Sequence, residues 1–145
     1  MNRKTITVFI VLTAIFALVI FTLLKKETVI EGVIISDKAD LIEDEIKDIE
    51  NAQLEFSKES EIYTIIFVQN ITKKDSIAIK WEIIANNNDS GNKTIQEDRV
   101  IPKEDGSGEI AVSLARKNNQ HEIGKYMVSV SLNNQNPIIK EFTVK

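Results

Sequence analysis

The chain of 145 residues has no cysteine. Disulfides, zinc–thiolate sites, iron–sulfur clusters, thiol nucleophiles and acylation of a leading Cys are therefore excluded. Histidine occurs once, as His121, which rules out a multi-histidine metal centre and leaves little for acid–base catalysis. The five glycines (Gly32, Gly91, Gly106, Gly108 and Gly124) form neither G-x-G-x-x-G nor G-x-x-x-x-G-K-S/T, so no phosphate-cradling loop is encoded. Aromatic residues make up only 6%, which weakens a carbohydrate-binding reading, because the few rings are needed in a core. The net charge of −4 argues against a nucleic-acid partner. The length suits one domain plus an extension and excludes a multidomain enzyme.

What the chain does have is a long apolar run near its start. Thr5 to Leu24 (TITVFIVLTAIFALVIFTLL) contains no charge, glycine or proline over 20 residues. At roughly 1.5 Å per residue it reaches about 30 Å, the thickness of a hydrocarbon core. Inside lipid the backbone must satisfy its own polar groups, so the run is expected to be a helix in contact with membrane lipid. Arg3, Lys4 and the free amine precede it, while Lys25, Lys26 and Glu27 follow. That excess on the N-terminal side places the N-terminus in the cytoplasm and the rest outside. A cleaved signal peptide is the competing reading. It is disfavoured because the apolar core is long and Leu23-Leu24-Lys25-Lys26-Glu27 lacks small residues for cleavage. A pilin-type start is disfavoured too, since no Glu precedes Glu27.

Charge divides the remainder. Asp37 to Glu61 carries ten acids against three lysines, whereas the part beyond is nearly neutral. This contrast suggests three parts: an anchor with its cytoplasmic tip over residues 1–26, an acidic juxtamembrane stalk over 27–54, and a compact domain over 55–145. In the stalk, Thr28–Ser36 is β-branched and reads as a short strand. Asp37 to Gln53 reads as a helix, with Ala39, Ile42, Ile46 and Ile49 on one face and Asp37 as N-cap, either laid against the domain or forming a linker.

Beyond residue 55 the periodicity becomes strand-like. Glu61–Gln69 is continuously apolar, as in a strand buried on both faces. Ser76–Ala85 puts Ile77, Ile79, Trp81 and Ile83 on one side, with Lys80 and Glu82 opposite. Asn86–Lys93 is a turn cluster. Thr94–Ile101, with Glu97, Asp98 and Arg99, reads as a protected edge strand. Glu109–Ala115 turns Ile110, Val112 and Leu114 inward, and Gly124–Asn133 does the same with Tyr126, Val128, Val130 and Leu132. Pro137–Val144 closes the domain with Phe142 and Val144. Six or seven punctuated strands over some 90 residues predict an antiparallel β-sandwich of immunoglobulin-like type, with a small barrel as the alternative. Trp81 and Tyr126 stand where such sandwiches carry a core Trp and a corner Tyr.

Phe56 to Val144 resembles a loose class of prokaryotic extracytoplasmic immunoglobulin-like domains. The resembling parts are Ile62-Tyr63, Ile79-Lys80-Trp81, and Gly124-Lys125-Tyr126-Met127-Val128 followed by Phe142-Thr143-Val144. The resemblance implies a fold and an exported location. It carries no shared catalytic residues, because such domains occur on many unrelated proteins.

No residue emerges as catalytic, cofactor-binding or metal-ligating, and no cofactor is implied. Gly106-Ser107-Gly108 lacks the spacing of a nucleophile elbow, and the only base for Ser107 would be His121, read as an exposed loop residue. Asp89 and Asp105 lie in turns whose chemistry accounts for them without calcium. The acidic stretch lacks a calcium loop with its Gly at the turn. Asn70-Ile71-Thr72, Asn88-Asp89-Ser90 and Asn92-Lys93-Thr94 match the glycan acceptor pattern at about the frequency chance provides. The expected function is a non-catalytic, membrane-anchored module for protein–protein contact in a larger envelope or membrane assembly, through a sheet edge or the membrane-distal turns. The alternative is an accessory or sensory subunit of a membrane enzyme or transporter that assembles through its helix.

Overall fold

The computed structural model describes residues 27–41, 54–85 and 91–145. The apolar run Thr5 to Leu24, most of the helix expected over Asp37 to Gln53, and residues 86–90 of the Asn86–Lys93 turn lie outside the described residues. Among the described residues there is no helix, and those from Asp37 to Leu41 are irregular.

Among the described residues eight strands follow one another: β1 (Val29–Ser36), β2 (Glu55–Phe56), β3 (Tyr63–Ile71), β4 (Ile77–Ile83), β5 (Lys93–Val100), β6 (Gly106–Ser113), β7 (Gly124–Leu132) and β8 (Ile138–Val144). They form two sheets, one in the order β1-β3-β6 and the other β2-β8-β7-β4-β5. Every pairing is antiparallel except that of the two-residue β2 with β8. The described residues are thus mostly β, with two sheets facing each other across one core.

Alternation builds that core. Ile77, Ile79 and Trp81 from β4 meet Val128, Val130 and Leu132 from β7, all buried. Fully burying one such side chain contributes about 1.5–3 kcal/mol. Phe142 of β8 joins the rings: its centroid lies 5.0 Å from Tyr126 in a stacked pair, 5.7 Å from Phe56 and 6.3 Å from Trp81 edge-on. Without cysteine, this packing holds the sheets together. The continuous apolar run of β3 is buried on both faces, Ile66 and Val68 in the core and Ile65 beside its register partner Ile34 on the other side.

One expectation is corrected. Val29–Ser36 is not the start of a stalk but a strand of the sandwich. It pairs along β3 from Val29↔Gln69 to Ser36↔Tyr63, and Val33 and Ile35 belong to the core. The acidic stretch that follows therefore connects two strands of the sandwich. The charge contrast misled because it begins at Asp37, after the first strand has ended.

The strands run between two ends. At one lie the start of β1 and the connections 72–76, 101–105 and 133–137. At the other lie residues 57–62, the connection 114–123 and the C-terminal Lys145. The turn at Asn133-Asn134 (φ 49° and 61°) and the one at Asn118-Asn119 (φ 54° and 61°) use asparagine, which tolerates left-handed backbone.

Candidate functional site

At the first end, Asp75 gathers four donors. Its Oδ2 accepts from the Thr72 amide (2.7 Å), the Thr72 hydroxyl (2.8 Å) and the Thr28 hydroxyl (3.1 Å), and its Oδ1 accepts from Asn133 Nδ2 (2.7 Å). These bonds, Asn133 foremost, hold the carboxyl below its usual pKa despite some desolvation. Asn133 Oδ1 in turn accepts the Ser76 amide at 2.8 Å, and Asp105 Oδ1 accepts the Lys73 amide at 2.8 Å. The network ties three loops to the first residue of the sandwich. It consumes Asp105, the turn carboxylate weighed for calcium, while Asp89 falls outside the described residues. Among the described residues no group of three or more His, Asp or Glu is placed to hold a metal ion.

His121 lies at the opposite end, and the expectation of an exposed loop residue is corrected: only 7% of it is accessible. Residues 57–62 fold over it. Its amide donates to Lys58 O at 2.7 Å, and its Nε2 lies 3.0 Å from Ser60 O, to which it donates. Desolvation lowers its pKa, the Ser60 contact opposes that, and Arg116 adds to the lowering. Arg116 itself donates to Glu59 O at 2.7 Å and to Glu61 Oε1 at 3.1 Å, which pins the covering segment. The polar neighbours Gln120 and Glu122 gave no signal of this burial, because a distant segment causes it. Tyr126 donates its hydroxyl to Glu122 O at 2.5 Å, and burial pushes its pKa up to about 12.

Ser107 and His121 are not brought together. Ser107 is the second residue of β6, where its Oγ accepts the Asn70 amide at 3.0 Å, and His121 lies past the strand's far end. At roughly 3.3 Å per residue, that separation is about 20 Å along the strand. Asn70, in one of the glycan-acceptor triplets, also donates from Nδ2 to Glu27 O at 3.3 Å.

Among the described residues a broad groove, of about 670 Å³, lies over the outer face of β5, β4 and β7. Its lining includes Lys80, Glu82, Glu97, Arg99, Ser129 and Ser131, with no aromatic ring. Glu82, though largely buried, faces the lysine at 2.8 Å, and its hydrogen bond raises the Lys80 pKa. Of the described rings, Trp81, Tyr126 and Phe142 are buried, and Phe56, Tyr63 and Phe67 are half-buried outside the groove.

Sheet edges are the remaining features. β5 is an edge strand as expected, with Glu97 and Arg99 exposed and a register shift opposite Trp81/Glu82. Near its middle, Gln96 crosses to the other sheet: Nε2 donates to Ser113 O at 3.0 Å, and Oε1 accepts the Ala115 amide at 2.7 Å. Gln96 thereby stitches the end of β6 to β5. Upstream of that stitch, β6 presents the edge of its sheet over Gly106–Glu109, exposed throughout and carrying Glu109 as its single charge. This edge was not singled out from sequence; its Gly-Ser-Gly start reads as a turn.

No protein-family model matches the chain, and no curated protein matches it. Among solved structures it is similar to a β-glucosidase from Listeria innocua in complex with gluconolactone (TM-score 0.45, 11% identity, covering 81% of this chain). It is also similar to a β-glucosidase from Erythrobacter marinus (0.46, 9%, 82%) and to one from Bifidobacterium adolescentis (0.39, 14%, 81%). The chain spans only 16%, 15% and 17% of those proteins, respectively. At such TM-scores and identities, the activity in their names stays with them.

Proposed function

We propose that this chain is a membrane-anchored, extracytoplasmic immunoglobulin-like module that performs no chemistry of its own and binds a protein partner by strand addition. The strand order, with β1-β3-β6 against β8-β7-β4-β5, supports the immunoglobulin-like assignment. Trp81 buried on β4 and the Tyr126 hydroxyl bonded to the carbonyl four residues upstream support it further. The apolar run Thr5 to Leu24 supports the anchor.

The observation that carries the binding reading is the contrast between edges. β5 is guarded by charge and a bulge, β1 by a bulge at Ile30/Gly32 and by burial of its last four residues, and the end of β6 is stitched by Gln96, whereas Gly106–Glu109, opposite an irregularity of β3, is exposed throughout with a single charge. Such an edge is a template for another strand, main-chain bonds giving affinity and alternate side chains specificity. A photocrosslinking residue at Glu109 in membranes is expected to capture a partner, and one at Glu97, exposed on the guarded β5 edge, is not. Only uncrosslinked monomer from Glu109 would overturn the reading. Replacing Thr5 to Leu24 with an unrelated apolar helix separates this reading from assembly through the helix: the β6 capture is expected to survive, and its loss would favour the helix.

A further inference from the structure

The sandwich begins almost where the apolar run stops. Leu24 ends the run, and Glu27 and Thr28 are already fixed to the domain. The Thr28 hydroxyl donates to Asn70 O at 2.9 Å and to Asp75 at 3.1 Å, and Asn70 Nδ2 donates to Glu27 O at 3.3 Å. Three residues fully extended span at most about 11 Å. The headgroup layer on one side of a bilayer is roughly 5–8 Å deep, so the tether is of the same order as that layer.

The loops sharing this end form one cross-tied platform. Asp75 links 72–76 to Asn133 and to Thr28, and Asp105 links 101–105 to the Lys73 amide. Asp75 is half-buried and turned onto internal donors, while Lys73, Lys74 and Lys103 are exposed alongside Glu27, Glu104 and Asp105. Ile101, beside Pro102, is 61% accessible, among the most exposed large apolar residues of the domain. An apolar tip with lysines among its neighbours suits the boundary between headgroups and acyl chains, and the short tether selects this end over the opposite one, where Ile123 is 65% accessible.

We infer that the end of the sandwich formed by residues 72–76, 101–105 and 133–137 rests on the lipid headgroup layer, with Ile101 at the interface. This rests on the membrane-anchored reading above. The opposite end, with the 114–123 connection, then stands away from the membrane by the length of the strands, about 25–30 Å. The β6 edge runs upward from the lipid surface, so a strand added there would lie along the membrane normal.

The absence of cysteine makes the test direct. Ile101→Cys and Ile123→Cys in the full chain, both at exposed positions, are each labelled with an environment-sensitive fluorophore. The proteins are reconstituted into phosphatidylcholine–phosphatidylglycerol vesicles containing headgroup-nitroxide lipid. Quenching is expected to be severalfold stronger at 101 than at 123, and to fall toward the 123 level when a 20-residue Gly/Ser linker is inserted between Lys26 and Glu27. Equal quenching at the two positions, or stronger quenching at 123, in protein that floats with the vesicles would overturn the placement and leave the anchor standing. Protein that does not float would remove both.

Discussion

Thr64 lies near the start of β3, fully buried, with its hydroxyl lacking any hydrogen-bond partner. A hydroxyl in that state keeps the cost of leaving water without regaining a bond. Thr64→Val has nearly the same shape and is expected to stabilise the domain by about 1 kcal/mol. The single tryptophan, Trp81, is buried in the core, so its fluorescence in a urea titration reads the change. His121 makes a second prediction at this scale. Burial lowers its pKa below the ordinary value of 6.5, so the unfolded chain binds the proton more readily than the folded one. The stability tied to the neutral imidazole is then complete above pH 6.5 and is lost as the pH falls through the lowered folded value. His121→Gln keeps a donor for Ser60 O and should flatten the midpoint-versus-pH curve in that window. Asp75, also lowered, acts separately. Its stabilisation is present above its ordinary value of 3.8 and fades as the pH falls through the lowered value.

Elements with strict alternation were the legible ones. β4 and β7 put the expected residues inside, and β8 puts Phe142 and Val144 there, because one buried face and one wet face impose a period of two. β3, buried on both faces, was legible for the opposite reason. β2 was not, since a two-residue parallel strand has no periodicity to read. Its existence depends on Thr143 and Lys145 donating to Leu54 O and Phe56 O across the chain. The membership of β1 was hidden by the charge boundary at Asp37. The stitch between sheets was equally invisible, because Gln96 sits among charged residues of an edge strand and acts only through Ser113 and Ala115. Gln96→Ala should loosen that edge locally. Amide hydrogen exchange at Ala115 should accelerate, whereas exchange at Val130, inside the β4–β7–β8 ladder, should stay at the global rate. Unchanged exchange at Ala115 would mean that the stitch holds nothing.

For the whole molecule, what sequence could supply was chemistry excluded rather than chemistry present. With no cysteine and one histidine, the absence of a thiol or multi-histidine centre was readable from composition. The separation of Ser107 from His121 needed the fold, since only strand topology sends β6 from one end of the sandwich to the other. The free β6 edge needed it too, because exposure of an edge is a property of strand order and not of any residue in it. On the membrane-anchored reading proposed above, the same topology bears on orientation. Arg3 and Lys4 bias the N-terminus toward the cytoplasm, but Lys25 and Lys26 oppose them, so the bias is small enough to deserve measurement. In a chain without native cysteine, Asn2→Cys and Ile123→Cys are reporters on the two sides of Thr5 to Leu24. A membrane-impermeant maleimide added to intact cells should label position 123 at once and position 2 only after lysis. Labelling of position 2 alone would invert the protein. The sandwich would then lie in the cytoplasm, and the partner of the β6 edge would have to be sought there.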